Sequence, residues 1–287
     1  MHFLRRPISL RQRLILTIGA ILLVFELISV FWLWHESTEQ IQLFEQALRD
    51  NRNNDRHIMR EIREAVASLI DRAAIAHDIY DDQVNPAWSI VPPGFAGQIP
   101  SFQTKWGDGP NADQAKQLLA DANIATPVSI TLGYTPTRYG PNAVDEANML
   151  ASQLTSSGLF DVKIESAEWT EYQTLYKEGA YDFFQLGWYP DFLDADNYLA
   201  PFVVDGGFFQ NGYSNPKVND LVVQEQGETD PAAREKILGE LQDIVANDVP
   251  LVPSWNGKNV AVALPGMKGV ADTLDATYIF RMWSISK

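Results

Sequence analysis

The sequence predicts an α/β domain that follows a single membrane-spanning helix. Three observations support this fold class: an apolar run near the N-terminus, an alternation of strand-like and helix-like patterns along the rest of the chain, and Gly/Pro turns between those patterns. The chain has 287 residues, of which 46% are hydrophobic. That composition is sufficient for the buried core of one or two domains.

The apolar run covers residues 14–34 and contains one charged residue, Glu26. As a helix it would be roughly 31 Å long, close to the hydrocarbon thickness of a bilayer. Arginines precede it, so the positive-inside rule places residues 1–13 in the cytoplasm and the chain after Trp34 outside the membrane. A cleaved signal peptide is the alternative, but residues 35–39 form a poor cleavage site. Glu26 is costly in lipid and serves either function or helix pairing.

Two helical patterns follow the apolar run. Apolar side chains in residues 36–49 lie roughly on one helical face, and a polar stretch then interrupts the pattern. The second pattern starts near Arg56 and continues to Ile79, with apolar spacing that fits a helix better than a strand. We assign residues 35–62 to a juxtamembrane helical segment and residues 63–287 to the main domain.

Strand and helix patterns alternate along the main domain. The predicted strands are Val128–Tyr134, Asp161–Glu168, Phe183–Trp188, Leu251–Trp255 and Val260–Leu264. The predicted helices are Ala112–Asn123, Asp145–Ser156, Thr170–Lys177, Pro216–Gln226 and Pro231–Asn247. The last helix has the clearest start signal, with Asp230 as its N-cap and proline at its first position.

Charge and composition exclude several classes of function. The net charge is −15 and is carried mostly by residues 71–287, which would repel phosphate backbones, so we expect no nucleic-acid partner. The chain has no cysteine, which excludes disulfides and thiolate zinc sites. Beyond His77 there is no histidine either, which removes a histidine base and a Ser-His-Asp triad. Without a phosphate-binding motif, what remains is binding, or chemistry by paired carboxylates.

Residues 187–199, GWYPDFLDADNYL, form the strongest candidate for a binding site. Three aromatic residues, Trp188, Tyr189 and Phe192, lie beside Asp191, and the proline between them ends strand pairing and opens a loop. Aromatic rings provide rigid contact area, and a carboxylate can hold a cationic group by a charge-assisted hydrogen bond. The segment therefore predicts an acidic pocket rimmed by aromatic rings, suited to an amine-bearing ligand.

Two other interpretations of this segment remain open. The aromatic residues could belong to an ordinary core, with the acids in a solvated loop. Asp191, Asp194 and Asp196 could also provide the acid pair of a glycosidase. A glycosidase would release reducing sugar, whereas a receptor would return its ligand unchanged.

The same segment resembles the ligand-binding stretch of the family 5 extracellular solute-binding proteins, the dipeptide and oligopeptide receptors of ABC importers. Other matching segments occur in the order of the family: Arg63–Asp82, Val91–Phe95, Ala112–Ile124, Glu168–Trp188, Gly212–Val222 and Leu274–Lys287. The resemblance covers about residues 63–287 and implies a periplasmic-binding-protein-like lobe. Only the second lobe and the C-terminal segment are expected, because the N-terminal portion of the first lobe is missing. We therefore expect exposed cleft surface and weak binding.

The resemblance also implies roles for individual residues. In the family, the acid three residues after the strand-ending tryptophan captures the α-amino group of the peptide, and Asp191 holds that position. The peptide itself pairs as an additional strand. Relatives place an arginine for the peptide carboxylate three residues before Trp188; this chain has Gln185, and Arg138 is the substitute candidate. The implied partners are a peptide and an importer permease, with no cofactor, metal or catalytic residue.

Residues 1 to about 70 resemble a second family, the enterobacterial two-component sensor histidine kinases of the polymyxin-resistance type. The two resemblances overlap at residues 63–70, REAVASLI, so the chain reads as a fusion. The phospho-accepting histidine box and the ATP lid are absent, so no kinase activity is expected. A non-catalytic sensor fragment is therefore the alternative function.

In that sensor family, acidic ExxE pairs in the extracytoplasmic loop are linked to ferric-ion sensing. Glu36/Glu39 and Glu61/Glu64 match the pattern, and hard oxygen ligands one helical turn apart could hold such an ion. Ordinary acids on a helix surface are the alternative, because Arg60 and Arg63 flank the second pair.

Overall fold

The computed structural model describes residues 42, 46, 57–209, 211–275, 277 and 281–287. The chain divides into two units, Met1–His57 and Ile58–Lys287, and the elements below belong to the second. The predicted cytoplasmic tail and membrane-spanning run lie outside the described residues. Gln42 and Gln46, in the juxtamembrane segment, are both helical. Across the described ranges, no helix has the length and apolar character needed to cross a bilayer.

The helix predicted from Arg56 to Ile79 is present but interrupted. Residues 57–69 form helix α1, and a break follows before the short helix α2 (Arg72–Ala74) and a π-helical turn, Ile75–Ile79. The break occurs because the Asp71 side chain accepts a hydrogen bond from the Ala74 backbone N–H at 2.9 Å and so caps a new helix.

A three-stranded parallel sheet, in the order β3-β2-β4, forms the centre of the domain. Strand β2 is Val128–Tyr134, β3 is Phe160–Ser166 and β4 is Phe183–Phe184. Helix α5 (Ala143–Ser156) joins β2 to β3, and α6 (Trp169–Lys177) joins β3 to β4. These crossovers are what parallel pairing requires, so the predicted α/β class is confirmed.

Strand β4 is much shorter than the predicted strand Phe183–Trp188. Gln185 still donates its backbone N–H to the Gly133 carbonyl at 3.1 Å, but the ladder ends there. The Tyr172 hydroxyl, which donates to the Gln185 carbonyl at 2.8 Å, takes the place of the next ladder bond. The chain beyond Gln185 is therefore a loop.

Four further helices build a second, mainly helical layer: α3 (Ser101–Trp106), α7 (Asp196–Val203), α8 (Pro216–Gly227) and α9 (Pro231–Asp248). Their shared core includes buried Phe102, Leu199, Val218 and Leu241. Helix α9 begins as predicted, because the Asp230 carboxylate accepts from the Ala233 N–H at 2.8 Å. Helix α4 (Ala112–Asp121) contributes buried Leu119 to the core of the sheet.

An antiparallel ribbon joins strand β1 (Val84–Pro86) to strand β5 (Trp255–Gly257). The two strands predicted at Leu251–Trp255 and Val260–Leu264 are wrong. Residues 251–254 contain Pro253, which has no N–H for a ladder, and its carbonyl accepts from Arg72 Nε at 2.8 Å instead. Residues 260–264 pair with no strand among those described, and Val262 is 95% exposed.

Candidate functional site

The candidate site lies at the carboxyl end of the parallel sheet. Strands β2 and β4 are neighbours that run in the same direction, so the loops after Tyr134 and Phe184 leave the sheet at one edge. Ligands of open α/β sheets bind at such edges. The two loops also touch, because a Cβ on Gly187 would lie 2.9 Å from the Tyr139 ring.

Asp191 is exposed in the loop of residues 185–195, called the 185–195 loop below. Within the described part of the chain, no donor contacts its carboxylate. Its backbone is nevertheless fixed, because the Asp191 N–H donates to Asn197 Oδ1 at 2.9 Å. Trp188 Nε1 donates to the same oxygen at 3.0 Å. Asn197 therefore ties both predicted site residues to the first turn of α7.

Sequence reasoning missed Asn197. The side chain is buried, with 4% of its surface exposed, although asparagine is usually a surface residue. The only signal in the sequence was a polar residue directly before the apolar run Tyr198–Val203. Its role depends on the loop folding back over the start of α7, which no local pattern indicates.

The predicted aromatic residues divide into two groups. Trp188 packs edge-on against Phe202, with ring centroids 5.1 Å apart, and its ring centroid lies 5.4 Å from that of Phe208. Tyr189 and Phe192 are 59% and 49% exposed. The core interpretation therefore holds for Trp188, while the other two rings form an open apolar face beside Asp191.

A cavity of about 440 Å³ lies on the other side of Phe202 and is lined by residues 204–207 and 211–214. None of the predicted site residues lines it. Its one carboxylate, that of Asp205, already accepts from Ser214 Oγ at 3.1 Å and from Asn219 Nδ2 at 2.9 Å. We therefore assign the candidate site to the loop edge.

Gln185 contributes its side chain to a buried network. It lies beside the carboxylate of Glu146, which is 6% exposed. Tyr80 Oη and Trp255 Nε1 donate to the same carboxylate at 2.7 and 2.9 Å. Burial raises the pKa of Glu146 in spite of these donors. The network links the β1–β5 ribbon to the start of the 185–195 loop.

Arg138 lies on the neighbouring loop and is exposed. Its guanidinium carbon is 5.1 Å from the centre of the Trp169 ring, a cation–π arrangement. Thr137 Oγ1 donates to Glu168 Oε2 at 2.9 Å and fixes the same loop. Arg138 is therefore a cation on the edge that carries Asp191.

The other two acids of the segment have structural partners. Arg234 donates to both carboxylate oxygens of Asp194, each at 2.8 Å, and these bonds hold the pKa of Asp194 below its ordinary range. Gln226 Nε2 donates to Asp196 at 3.2 Å. Because Asp194 is held by Arg234, it does not form a free carboxylate pair with Asp191 of the kind a glycosidase needs.

No metal-binding cluster of three or more suitable side chains occurs within the described ranges. Glu36 and Glu39 lie outside those ranges. In the second predicted ExxE pair, Glu61 and Glu64 lie 3.2 and 3.6 Å from the guanidinium of Arg60. Both acids are largely buried rather than exposed on the helix surface, and each is engaged by a basic residue of its own helix.

Comparison with known proteins matches residues 40–210 to the bacterial extracellular solute-binding proteins, family 5 Middle. Dipeptide-binding protein DppE of Bacillus subtilis is 26% identical over 216 residues, 73% of this chain and 39% of the relative. Di/tripeptide-binding protein 1 of Pseudomonas aeruginosa is 29% identical over 206 residues, 67% of this chain and 36% of the relative. Both names describe peptide binding by those relatives.

Solved structures of peptide-binding proteins also align with this chain. The crystal structure of Haemophilus influenzae OppA in complex with RPPGFSPFR aligns with a TM-score of 0.63 at 25% identity, covering 73% of this chain and 42% of that one. The dipeptide binding protein from Pseudoalteromonas sp. SM9913, in complex with Met-Leu, aligns with a TM-score of 0.62 at 26% identity, covering 69% and 39%. The predicted periplasmic-binding-protein-like lobe is confirmed.

A different relative matches the N-terminal part. Sensor protein BasS of Salmonella typhimurium is 86% identical over 70 residues, which are 24% of this chain and 20% of that relative. Both resemblances seen in the sequence are therefore confirmed. The chain spans only 36–39% of the length of the two peptide-binding relatives. Because the family match extends over more than half of its residues, the chain belongs to the bacterial extracellular solute-binding proteins, family 5.

Proposed function

We propose that this chain is a membrane-anchored, truncated peptide-binding component of an ABC importer. The observation that carries the proposal is the 185–195 loop, where a family 5 chain presents the Asp191 carboxylate beside two exposed aromatic rings. The peptide-binding names of the relatives support the ligand class. The proposed partners are a peptide and the permease of the importer.

Asp191 is the proposed anchor for the ammonium group of the peptide. Its backbone is fixed by Asn197, and no cation among the described residues competes for its carboxylate. A ligand ammonium would therefore form a charge-assisted hydrogen bond without first breaking an internal ion pair. Tyr189 and Phe192 would provide apolar contact to the first residues of the peptide, and Trp188 would support the loop beneath them from the core.

Arg138 is the proposed contact for the carboxylate of the peptide. It extends from the loop that touches Gly187, so it lies on the same edge of the sheet as Asp191. Gln185 contributes through Glu146, which holds it at the base of the loop. In this proposal its side chain sets the position of the loop and does not hold the ligand charge.

Calorimetry of the full chain in mild detergent tests the proposal. Alanine-based peptides of two to five residues should release heat on binding, and the same peptides with an acetylated N-terminus should bind at least about tenfold more weakly. Equal binding of free and acetylated peptides would refute the ammonium anchor. Binding of neither form would contradict a peptide-binding function for this chain.

The proposal includes no catalytic step. Residues 78–287 contain neither histidine nor cysteine, and Asp194 is held by Arg234. Incubation with peptides and with glycosides should return both unchanged. Turnover that is lost on changing Asp191 or Asp194 would contradict this part of the proposal.

A non-catalytic sensor fragment is the second candidate function, favoured by the identity to Sensor protein BasS. In that case the response would follow the first 70 residues and would not need the 185–195 loop. Ferric-ion binding that is lost on changing Glu36 and Glu39 to Gln, with no peptide binding, would favour the sensor function over the receptor function.

A further inference from the structure

Glu225 on α8 is a buried carboxyl group with one unsatisfied oxygen. Its side chain is fully buried, and Oε2 accepts from Arg234 Nε at 2.9 Å and from Nη2 at 2.7 Å. Oε1 is also buried and has no donor among the described residues. Leaving a carboxylate oxygen buried without a donor is costly, so the structure requires an explanation for Oε1.

The charged groups that face Glu225 explain why its Oε1 is buried without a donor. They are Asp196 in the first turn of α7, Arg234 on α9, and Asp194 directly before α7, which shares Arg234 with Glu225. Two of these acids, Asp194 and Glu225, thus share one cation, and the third, Asp196, lies beside Glu225. Asp196 lies against α8 at this point, because Gln226, the residue after Glu225, donates its Nε2 to the Asp196 carboxylate at 3.2 Å, and the Glu225 carboxyl is its neighbour there. Two ionised carboxylates have no proton to donate, so one member of such a pair must be protonated.

We propose that Glu225 is a positioning residue for the 185–195 loop. Its carboxyl group keeps a proton on Oε1, and this O–H donates a hydrogen bond to the Asp196 carboxylate. That bond fixes the start of α7 against α8. The functional part of this inference rests on the proposed function of the loop. Asn197, the residue after Asp196, holds Trp188 and Asp191 through one oxygen atom. The start of α7 and the loop therefore move together.

The direction of the pH dependence follows from the surroundings of Glu225. Burial raises its pKa from an ordinary value of 4.5 to about 7, Asp196 acts in the same direction, and Arg234 opposes it. A detached α7 would take away Asp196 and part of the burial while Arg234 stays in place, so the pKa of Glu225 would fall back towards its ordinary value. The stabilisation is therefore complete below that ordinary value and is lost as the pH rises to the folded-state pKa. Above neutrality, two ionised carboxylates repel each other at this contact.

Hydrogen exchange of the full chain in mild detergent, read by mass spectrometry between pH 5.5 and 8, tests the proposal. After correction for intrinsic exchange, amides of Asp196–Val203 should lose on the order of tenfold in protection as the pH rises. Glu225→Gln should remove this pH dependence, because the amide makes both hydrogen bonds without titrating. Asp220→Asn, which changes an exposed acid of α8, should keep the wild-type profile.

His77 is a second titratable group, and the hydrogen bond that its Nδ1 donates to the Asp82 carboxylate raises its pKa. Its contribution is common to all variants and cancels in the comparison. A wild-type pH profile that Glu225→Gln leaves unchanged would overturn the proposal. If this variant does not fold, infrared spectra of the wild type decide: a carboxylic acid carbonyl band at pH 6 that disappears by pH 8 supports the proton, and its absence overturns it.

Peptide calorimetry at the same pH values separates this inference from the proposed function. Affinity should fall together with the protection of α7. Protection that follows the pH while no peptide binds would refute the proposed function and support the Glu225–Asp196 proton.

Discussion

At the scale of single residues, the candidate site depends on one oxygen atom. Asn197 Oδ1 accepts hydrogen bonds from the Trp188 indole and from the Asp191 backbone, and so sets the direction of the loop that carries the proposed ligand anchor. Both hydrogen bonds are partly buried, so removing this acceptor would take away the partner of two donors at once.

We therefore predict that Asn197→Ala lowers the affinity for free-amine peptides about fivefold to tenfold, since each lost hydrogen bond is worth about 1 kcal/mol. Asn197→Asp keeps an acceptor oxygen and should restore most of the affinity. Calorimetry measures both variants, and the indole N–H resonance of Trp188 should shift only in the alanine variant. An alanine variant with wild-type affinity would exclude the positioning role.

Asp191→Asn tests the anchor itself. If a peptide covers the carboxylate on binding, loss of its charge partner should cost about 2 kcal/mol or more for free-amine peptides, roughly 30-fold in affinity. The acetylated peptides should be almost unaffected. Asp243→Asn, which changes an exposed acid on α9, is the matched control. Equal weakening of both peptide forms by Asp191→Asn would contradict the ammonium contact.

At the scale of elements, two buried carboxylates join parts of the fold that are far apart in sequence. Glu146 accepts from Tyr80 and Trp255, which connects α5 to the β1–β5 ribbon. Glu225 and Asp194 share Arg234, which connects α8 and the start of α7 to α9. Both of these carboxylate clusters lie next to the 185–195 loop, so contacts between separate elements support the site.

The ion pairs of Arg234 lead to a prediction about the free energy of unfolding. Arg234→Met removes the cation that Asp194 and Glu225 share, and we expect a loss of about 2–3 kcal/mol in the free energy of unfolding. Lys217→Met is the matched control, because Lys217 pairs with Glu240 between the same two helices at 2.6 Å but both side chains are well exposed. That variant should lose less than about 1 kcal/mol.

Urea titration followed by tryptophan fluorescence measures both variants. The loss in Arg234→Met should also be larger at pH 8 than at pH 5.5, because the uncompensated Glu225 can take up a proton at the lower pH. Equal losses in the two variants would mean that burial of this cluster contributes no more than an exposed ion pair.

At the scale of the whole molecule, two sequence families meet in one chain. The first 24% matches Sensor protein BasS and the remainder matches part of the length of peptide-binding relatives. In our proposal the basic N-terminal tail lies in the cytoplasm, residues 14–34 span the inner membrane, and the binding unit lies in the periplasm.

Reporter fusions test this topology. Alkaline phosphatase joined after Lys287 should be active, because that enzyme folds only outside the cytoplasm. Deletion of residues 2–34 should abolish the activity, since the reporter would then stay inside the cell. An active cytoplasmic reporter at the same position of the intact chain would contradict the topology.

The sequence predicted most of the regular elements of the main domain. The bounds of α4, α5, α6, α8 and α9 differ from those predicted by two residues or fewer at either end. The spacing of apolar residues and the capping residues of a helix are both contained within its own segment of sequence, which explains this agreement. The two wrong strand predictions have causes that are distant in sequence. The strand predicted at Phe183–Trp188 ends early because the Tyr172 hydroxyl donates to the Gln185 carbonyl. The strand predicted at Leu251–Trp255 does not form there, and the Pro253 carbonyl accepts from the Arg72 guanidinium instead.

For the site, the sequence by itself determined the chemistry that is available: a loop with one early acid among aromatic rings, in a domain without histidine beyond His77 and without cysteine. Only the tertiary structure decided which acid is free. Asp191 and Asp194 are three residues apart and equivalent in local pattern, but Arg234, which lies 40 residues after Asp194, holds Asp194 and leaves Asp191 exposed. The physical reason is that charge pairing depends on distance in space, and helix packing alone brings α9 to the start of α7.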